Sequence, residues 1–309
     1  MAIAYTRGSD EQVNWSRPST ALFIILHLAP LLALSVGARP IDWAICAALY
    51  AMRMFFITAG YHRYFGHRAF KTGRIMQMVF AVGGASAAQK GPLWWAAHHR
   101  HHHKYSDTEH DIHSPLRGFW WSHMGWFLCP KYRETDEGAI KDFARYPELR
   151  WLDRNHAVVP IALAVGCYAY GGLSCLLIGF CLSTVLSYHC TYFINSLTHL
   201  FGRRRYVTTD TSRNSLLLAL LTFGEGWHNN HHYYQSTANQ GFFWWEIDIS
   251  YYVLRLLSLF GLVSELRKPP QHVLESNRVA DADVDIGMER ARLAISGNTV
   301  SEPALSELG

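Results

Sequence analysis

Apolar residues in this chain gather into two pairs of long runs. Residues 20–38 and 43–60 flank a tight Arg39-Pro40 corner, and residues 157–170 and 173–194 flank Gly171-Gly172. A helix crosses a bilayer with about 20 apolar residues, roughly 17 to 25. The pattern therefore predicts an all-α integral membrane protein with four spanning helices in two hairpins. The third run is short, so its helix is expected to start near His156 or earlier. Buried helices of a soluble fold are the bland alternative, but two paired runs of this length seldom occur there.

The polar segments complete the layout. Residues 1–19 form an N-terminal arm, 20–262 the membrane unit with a helical cap, and 263–309 a tail. Within the unit, 75–88 is apolar yet carries Gln77, Gly83 and Gly84, which fits a helix on the membrane surface. Residues 242–262 mix Trp244, Trp245, Tyr251 and Tyr252 with Glu246, Asp248 and Arg255, which reads as one interfacial helix. From Val279 onward the chain is acidic and small-residued. That part is expected to be solvent-exposed or disordered, with room for a short helix over 288–295.

Charge placement gives the orientation. Of 28 Lys and Arg, only Arg39 falls in the short turns and only Arg53 within the second run. The positive-inside rule then puts both termini and the central segment, 61–155, in the cytoplasm. No small-residue cleavage site follows the first run, so it is expected to remain as a span. The six cysteines form no C-x-x-C pair and are expected to be reduced and packed as small hydrophobes, which argues against an internal iron–sulfur centre. No nucleic-acid partner is expected.

Histidine carries the chemistry. His99, His102 and His103 lie in HHRHHHKYSD, and His228, His231 and His232 lie in GEGWHNNHHYY. Each set reads H-x-x-H-H, a spacing expected to aim three imidazoles at one point from one helix face. His62 and His67 follow the second apolar run, and His199 follows Asn195 in NSLTH. Nine such histidines suffice for two metal ions with four or five ligands each. Neutral imidazoles suit iron, zinc, copper or nickel, and a structural zinc would need only four ligands and would favour cysteine. Soluble di-iron bundles use paired E-x-x-H motifs; here only Glu225 with His228 matches that spacing. A two-metal site beside lipid fits oxygen activation against an inert C–H bond. Asp107, Glu109, Asp111 and Glu225 are candidate carboxylate partners for the rings. His98, His101, His110, His113 and His123 are expected mostly at the surface or in support, and His27 and His189 as hydrogen-bonded core residues.

At these residues the chain resembles the membrane fatty acyl desaturases of the delta-9 type. The boxes HRYFGH, HRHHH and HNNHH occur in order, within GYHRYFGHRAF, DIHSPLRGFWWSHMGW, NSLTH and GEGWHNNHH. The likeness runs from about Thr20 to about Leu262. It implies a centre of two iron ions that uses O2 and two external electrons to remove two hydrogens from a saturated fatty acyl chain. It implies as ligands His62, His67, His99, His102, His103, His199, His228, His231 and His232, with Asn195 acting through a water. It implies an acyl tunnel, for which Tyr50, Cys46, Trp94, Trp120 and Trp126 are the candidate walls, with Lys131 and Arg117 near the head group. The acyl-CoA enzymes of this family carry charged residues where this chain has Ala97, His98 and Pro130. The acyl carrier therefore stays open between CoA, a lipid and a carrier protein. No HPGG haem motif occurs, so electrons are expected from a separate ferredoxin or cytochrome. A hydroxylase acting on a lipid or hydrocarbon from the same scaffold is the rival enzyme reading. A metal transporter is the rival of another class, and it would need ionisable ligands near mid-membrane.

Overall fold

The structure, a computed structural model, describes residues 15–296, so most of the expected N-terminal arm and the last part of the tail lie outside the described residues. Among the described residues, three helices are long and apolar enough to cross a membrane: α1 Arg17–Val36, α2 Pro40–Gly66, and Val158–His199. Helix α1 tightens at Ala29–Leu32, where Pro30 removes a backbone donor. None of its most apolar stretch is buried within the protein, and Leu22, Ile25 and Leu34 point outward. A helix that is apolar all round needs an apolar medium.

Val158–His199 is not one rod. Gly172 has φ 67° and ψ −157°, a conformation open to glycine, so two arms diverge there, α5 (158–171) and α6 (173–199). Arg39 ties this break to the first turn. Its guanidinium donates to Asp42 at 2.7 Å and to the Gly171 carbonyl at 2.8 Å. Asp42 in turn accepts from the Arg39 backbone N–H at 2.9 Å and closes a capping box over Pro40 at the first position of α2. Helix α5 begins at Val158 and not earlier, because Pro147–Arg154 forms a separate helix and the chain turns over Asn155–Ala157.

Between the apolar helices lies a cap. Helix α3, Arg74–Ala85, buries Phe80, Ala81 and Ala85 against the end of α2 and leaves Ile75 outward, as a surface helix does. Helix α4, Pro92–Tyr105, carries the first H-x-x-H-H box, and α8, His228–Tyr233, carries the second. Helix α7 is Leu216–Leu221. The expected single helix over 242–262 is shorter: α9 runs Ile249–Leu259, capped by the Asp248 side chain on the Tyr251 N–H at 3.0 Å. The polar pair Glu246 and Asp248 is buried and committed to ion pairs, so the chain before α9 cannot lie flat as a helix. A two-residue antiparallel pairing, Lys71↔Ser264 and Thr72↔Val263, joins the chain just after His67 to the chain after α9.

The short helix expected in the tail forms as α10, Ile286–Ile295, but the tail is not left free in solvent: it folds back on the cap, with Gly287 and Ala291 buried. The described cysteines are all unbridged. An open apolar groove of about 910 Å³ lies between α2, α3 and α5, lined by Met52, Phe56, Met78, Val82 and Leu163 among others; none of the boxed histidines lines it.

Candidate metal centre

The nine boxed histidines divide into two groups whose ring nitrogens lie within 4.8 Å of one another: His62, His67, His99, His103 and His231 in one, and His102, His199, His228 and His232 in the other. Each H-x-x-H-H box is split between them, contrary to the expectation that it aims at one point. Residues four apart share a helix face, so His99 and His103 go to the first group while His102, about 100° round the helix, goes to the second. The other box reverses the assignment: His228 and His232 go to the second group and His231 to the first.

His62 and His67 need another device. Five residues apart, they would point about 140° apart on an α-helix. The end of α2, Phe56–Gly66, is instead wound as a π-helix, and the His67 N–H donates to the His62 carbonyl at 3.1 Å. This looser turn brings both rings to one side, 4.9 Å apart.

The spacing fits metal ions. With metal–nitrogen bonds of about 2.1 Å, ligands at right angles lie about 3.0 Å apart. Nε2 of His62 lies 3.0 Å from Nε2 of His231, which is 2.9 Å from that of His103; His103 is 3.1 Å and His67 2.7 Å from His99. In the second group, Nε2 of His199 and His228 are 3.1 Å apart. Nε2 of His232 is buried without a protein partner, a lone pair left for a ligand. Neither group contains a thiol or a carboxylate.

The other ring nitrogens explain the orientation. Nδ1–H of His102 donates to Asp111 at 3.0 Å, that of His199 to Asp107 at 3.1 Å, and that of His232 to Asp210 at 2.7 Å. His62 pairs through Nδ1 with Glu225. Such carboxylates fix the tautomer that presents Nε2 and raise its basicity. Asp210 and Gln240, which lies 3.4 Å from Nδ1 of His231, had no sequence signal, because both reach their rings from loops. Glu109, a sequence candidate, points to solvent with its side chain 87% exposed. Glu225 serves His62 and Arg63 rather than its sequence neighbour His228.

Burial, reinforced by neighbouring imidazoles, holds His67, His99, His103, His228 and His231 well below the usual histidine range, so they are neutral. Burial opposes charge on Asp107, Asp111, Asp210 and Glu225, yet the facing imidazoles, with Arg63 for Glu225, hold all four below the usual carboxylate range. A stability prediction follows for the metal-stripped chain. Its unfolded form takes up protons near pH 6.5, where the folded form resists them, so stability is full above that value and falls below it. Thermal unfolding of the stripped protein should show its midpoint dropping between about pH 7.5 and 5.5. A flat profile over that range would contradict the neutral-histidine assignment.

The remaining sequence candidates are dispersed. Asn195 is half-buried on α6, four residues before His199. Trp94 and Trp126 stack at 5.6 Å, but Trp120 is 66% exposed. Its neighbour Trp121 takes the inner place, since one residue's rotation along the turn separates the two indoles. Arg117 lies 3.8 Å over the Trp121 ring, and Lys131 stands 5.8 Å from the Tyr132 ring. Cys46 is buried with Ala33, Leu177 and Ile178. The Tyr50 hydroxyl donates to the Leu221 carbonyl at 2.5 Å, and its ring meets Phe223 edge-on. His27 and His189 form the expected internal hydrogen bond, at 3.1 Å, and His123, expected at the surface or in support, is buried and bonds to His189 at 2.9 Å.

Residues 41–264 match the fatty acid desaturase family model. The chain belongs to the fatty acid desaturase family. It is 36% identical over 280 residues to a sn-2 palmitoyl-lipid 9-desaturase of Nostoc, covering 87% of this chain and 96% of that protein. It is 37% identical over 273 residues to Delta-9 acyl-lipid desaturase 1 of Arabidopsis thaliana, covering 85% and 90%. An Acyl-CoA C20 Delta5-desaturase of Anemone leveillei is 36% identical over 275 residues, covering 86% and 88%. The chain is thus an oxidoreductase of lipid metabolism and, with its long apolar helices, a membrane protein.

Proposed function

We propose that this protein is a delta-9 desaturase of lipid-linked acyl chains, spanning the membrane four times with both termini and the histidine groups in the cytoplasm. The observation that carries the reading is the pair of all-imidazole groups at the cap end of apolar helices. Two iron ions held by the five and four histidines, with Asn195 adding a water to the second, would supply the oxidising chemistry. The balance is one saturated acyl chain, O2, two electrons and two protons giving one double bond and two waters. The transporter reading fits poorly with ligands gathered on the cap. The hydroxylase rival differs only in product.

The chain's own residues shape the rest. Asp107, Asp111, Asp210 and Glu225 hold the rings so that Nε2 faces inward. The stacked Trp94 and Trp126 offer an apolar wall that excludes water from an acyl chain. A cleft of about 360 Å³, lined by His67, Arg100, His103, Lys104 and Gln235, opens the five-histidine group to the surface. Arg100 is paired with Asp142, so Lys104 is the cation there that favours an acidic electron carrier, a ferredoxin or cytochrome, docking at the cleft. Lipid linkage is favoured over CoA by His98, which packs its ring 4.2 Å from that of Trp94 and donates to the Trp94 carbonyl instead of offering a charge.

Tyr50 is proposed as the tunnel floor. It stands about one turn, roughly 6 Å, nearer the histidines than Cys46. A floor there favours sixteen-carbon chains, because each buried methylene is worth about 0.8 kcal/mol when space exists for it. The test is lipid analysis of a host expressing the chain. The expected product is a sixteen-carbon delta-9 monoene esterified in membrane lipid, shifting toward eighteen carbons in Tyr50→Ala. A hydroxylated product would establish the rival, and an unchanged chain-length ratio would remove Tyr50 from the floor.

A further inference from the structure

Two of the supports for the four-histidine group come from one loop, residues 203–214. Asp210 accepts from His232 at 2.7 Å. Thr211 donates both its N–H and its hydroxyl, each at 2.6 Å, to Asp107, the carboxylate that holds His199. The loop's ends are joined by the reciprocal backbone bonds of Arg203 and Asn214. Its outer side is covered by the C-terminal part of the chain. The Val279 N–H donates to the Arg205 carbonyl at 2.9 Å, and the Val207 N–H to the Asn277 carbonyl at 2.8 Å. Arg204 donates to both oxygens of Asp285, at 2.6 and 2.8 Å. The same guanidinium donates to the carbonyls of Asp210 and Ser212, at 2.8 and 2.9 Å. Arg290 donates to the Thr209 carbonyl at 3.0 Å. Gly287 packs so closely that a Cβ there would overlap the carbonyl oxygen of Asp210.

We propose that this C-terminal strap, residues 277–290, is a positioning element for one metal only, the one held by His102, His199, His228 and His232. Asp285 acts through Arg204, which grips the Asp210 and Ser212 carbonyls, and Gly287 acts through direct contact with the Asp210 backbone, so that together they fix the main chain from which the Asp210 carboxylate reaches His232. The five-histidine group draws its supports from Glu225, Gln240 and Arg63 instead, and none of their named bonds involves the strap. The proposal rests on the reading that each group holds a metal.

Full-length protein purified in detergent tests it, with metal content per chain and release to a chelator as readouts. Loss of partners that orient metal ligands costs about tenfold to a hundredfold in affinity. Gly287→Ala should therefore release one of its two metals about tenfold to a hundredfold faster, with the other leaving at the wild-type rate. Asp285→Asn, which keeps the helix cap but removes the charge, should shift release in the same direction, and Asp285→Glu should restore it. Wild-type release from Gly287→Ala, or both metals lost together, would overturn the strap. A wild-type chain that holds no stoichiometric metal would overturn the two-metal reading beneath it.

Discussion

His231→Ala should leave the protein in the membrane and make desaturation undetectable. The ring is fully buried, and its Nε2 lies 3.0 Å from that of His62 and 2.9 Å from that of His103. The adjacent imidazoles are already committed to the same centre, so none of them can fill its place. Residues that only orient a ligand are worth tenfold to a hundredfold, so loss of the ligand itself should cost at least about a hundredfold in activity. The spans should be unaffected, since α1, α2 and the two arms of 158–199 pack through apolar contacts distant from the ring. His110→Ala is the control: that side chain is 68% exposed and belongs to neither group, so activity should stay near wild type. Measured metal should fall from two ions per chain toward one in His231→Ala. Activity within tenfold of wild type in that variant would remove His231 from the ligand set.

The histidine pattern was legible because ligand spacing is a local property. Residues three and four apart announce a shared helix face in any sequence. What spacing alone does not reveal is which face meets which partner. His102 and His231 sit between paired neighbours and cross to the opposite group, a consequence of how α4 and α8 approach each other. The π-winding that aligns His62 with His67 has no spacing signal either, because any H-x4-H pair would read as misaligned. Supports were legible only where they lie close to a box, as Asp107 and Asp111 do. Asp210 reaches His232 across a loop, and Glu109, though closer in sequence to a box, faces solvent. Apolar runs located the long helices well, and Gly171-Gly172 marked the break in 158–199. The amphipathic stretch 242–262 misled because Glu246 and Asp248 look like an outer polar face. In the fold they are buried against Arg205 and Arg63. Low hydrophobicity likewise hid the packed tail, which is held by Arg204, Gly287 and backbone bonds rather than by a large apolar face.

Arg63→Met should cause the largest loss of stability among single changes near the site. Arg63 is completely buried beside His62. Its guanidinium donates to Glu225 at 2.9 Å, to both oxygens of Asp248 at 2.9 Å, and to the Ala238 carbonyl at 2.8 Å. Methionine fills much of the volume but supplies no cation, and it leaves two buried carboxylates without their common partner. Breaking a buried pair in this way costs about 3–5 kcal/mol. In domains of 150–250 residues each kcal/mol is worth about 2–4 °C, so the melting temperature in detergent should fall by on the order of 10 °C. Lysine should not rescue it, because a single ammonium lacks the planar fork that serves Glu225 and Asp248 together. The triple change Arg63→Met, Glu225→Gln and Asp248→Asn should recover part of the loss, since no uncompensated charge then remains buried. It should not recover activity, because Glu225 also holds the His62 ring through Nδ1. Stability and activity thus separate at this cluster. A fall of less than about 2 °C in Arg63→Met, the worth of under one kcal/mol, would mean that water reaches the carboxylates and that Arg63 does not bind the loop before α9 to the end of α2.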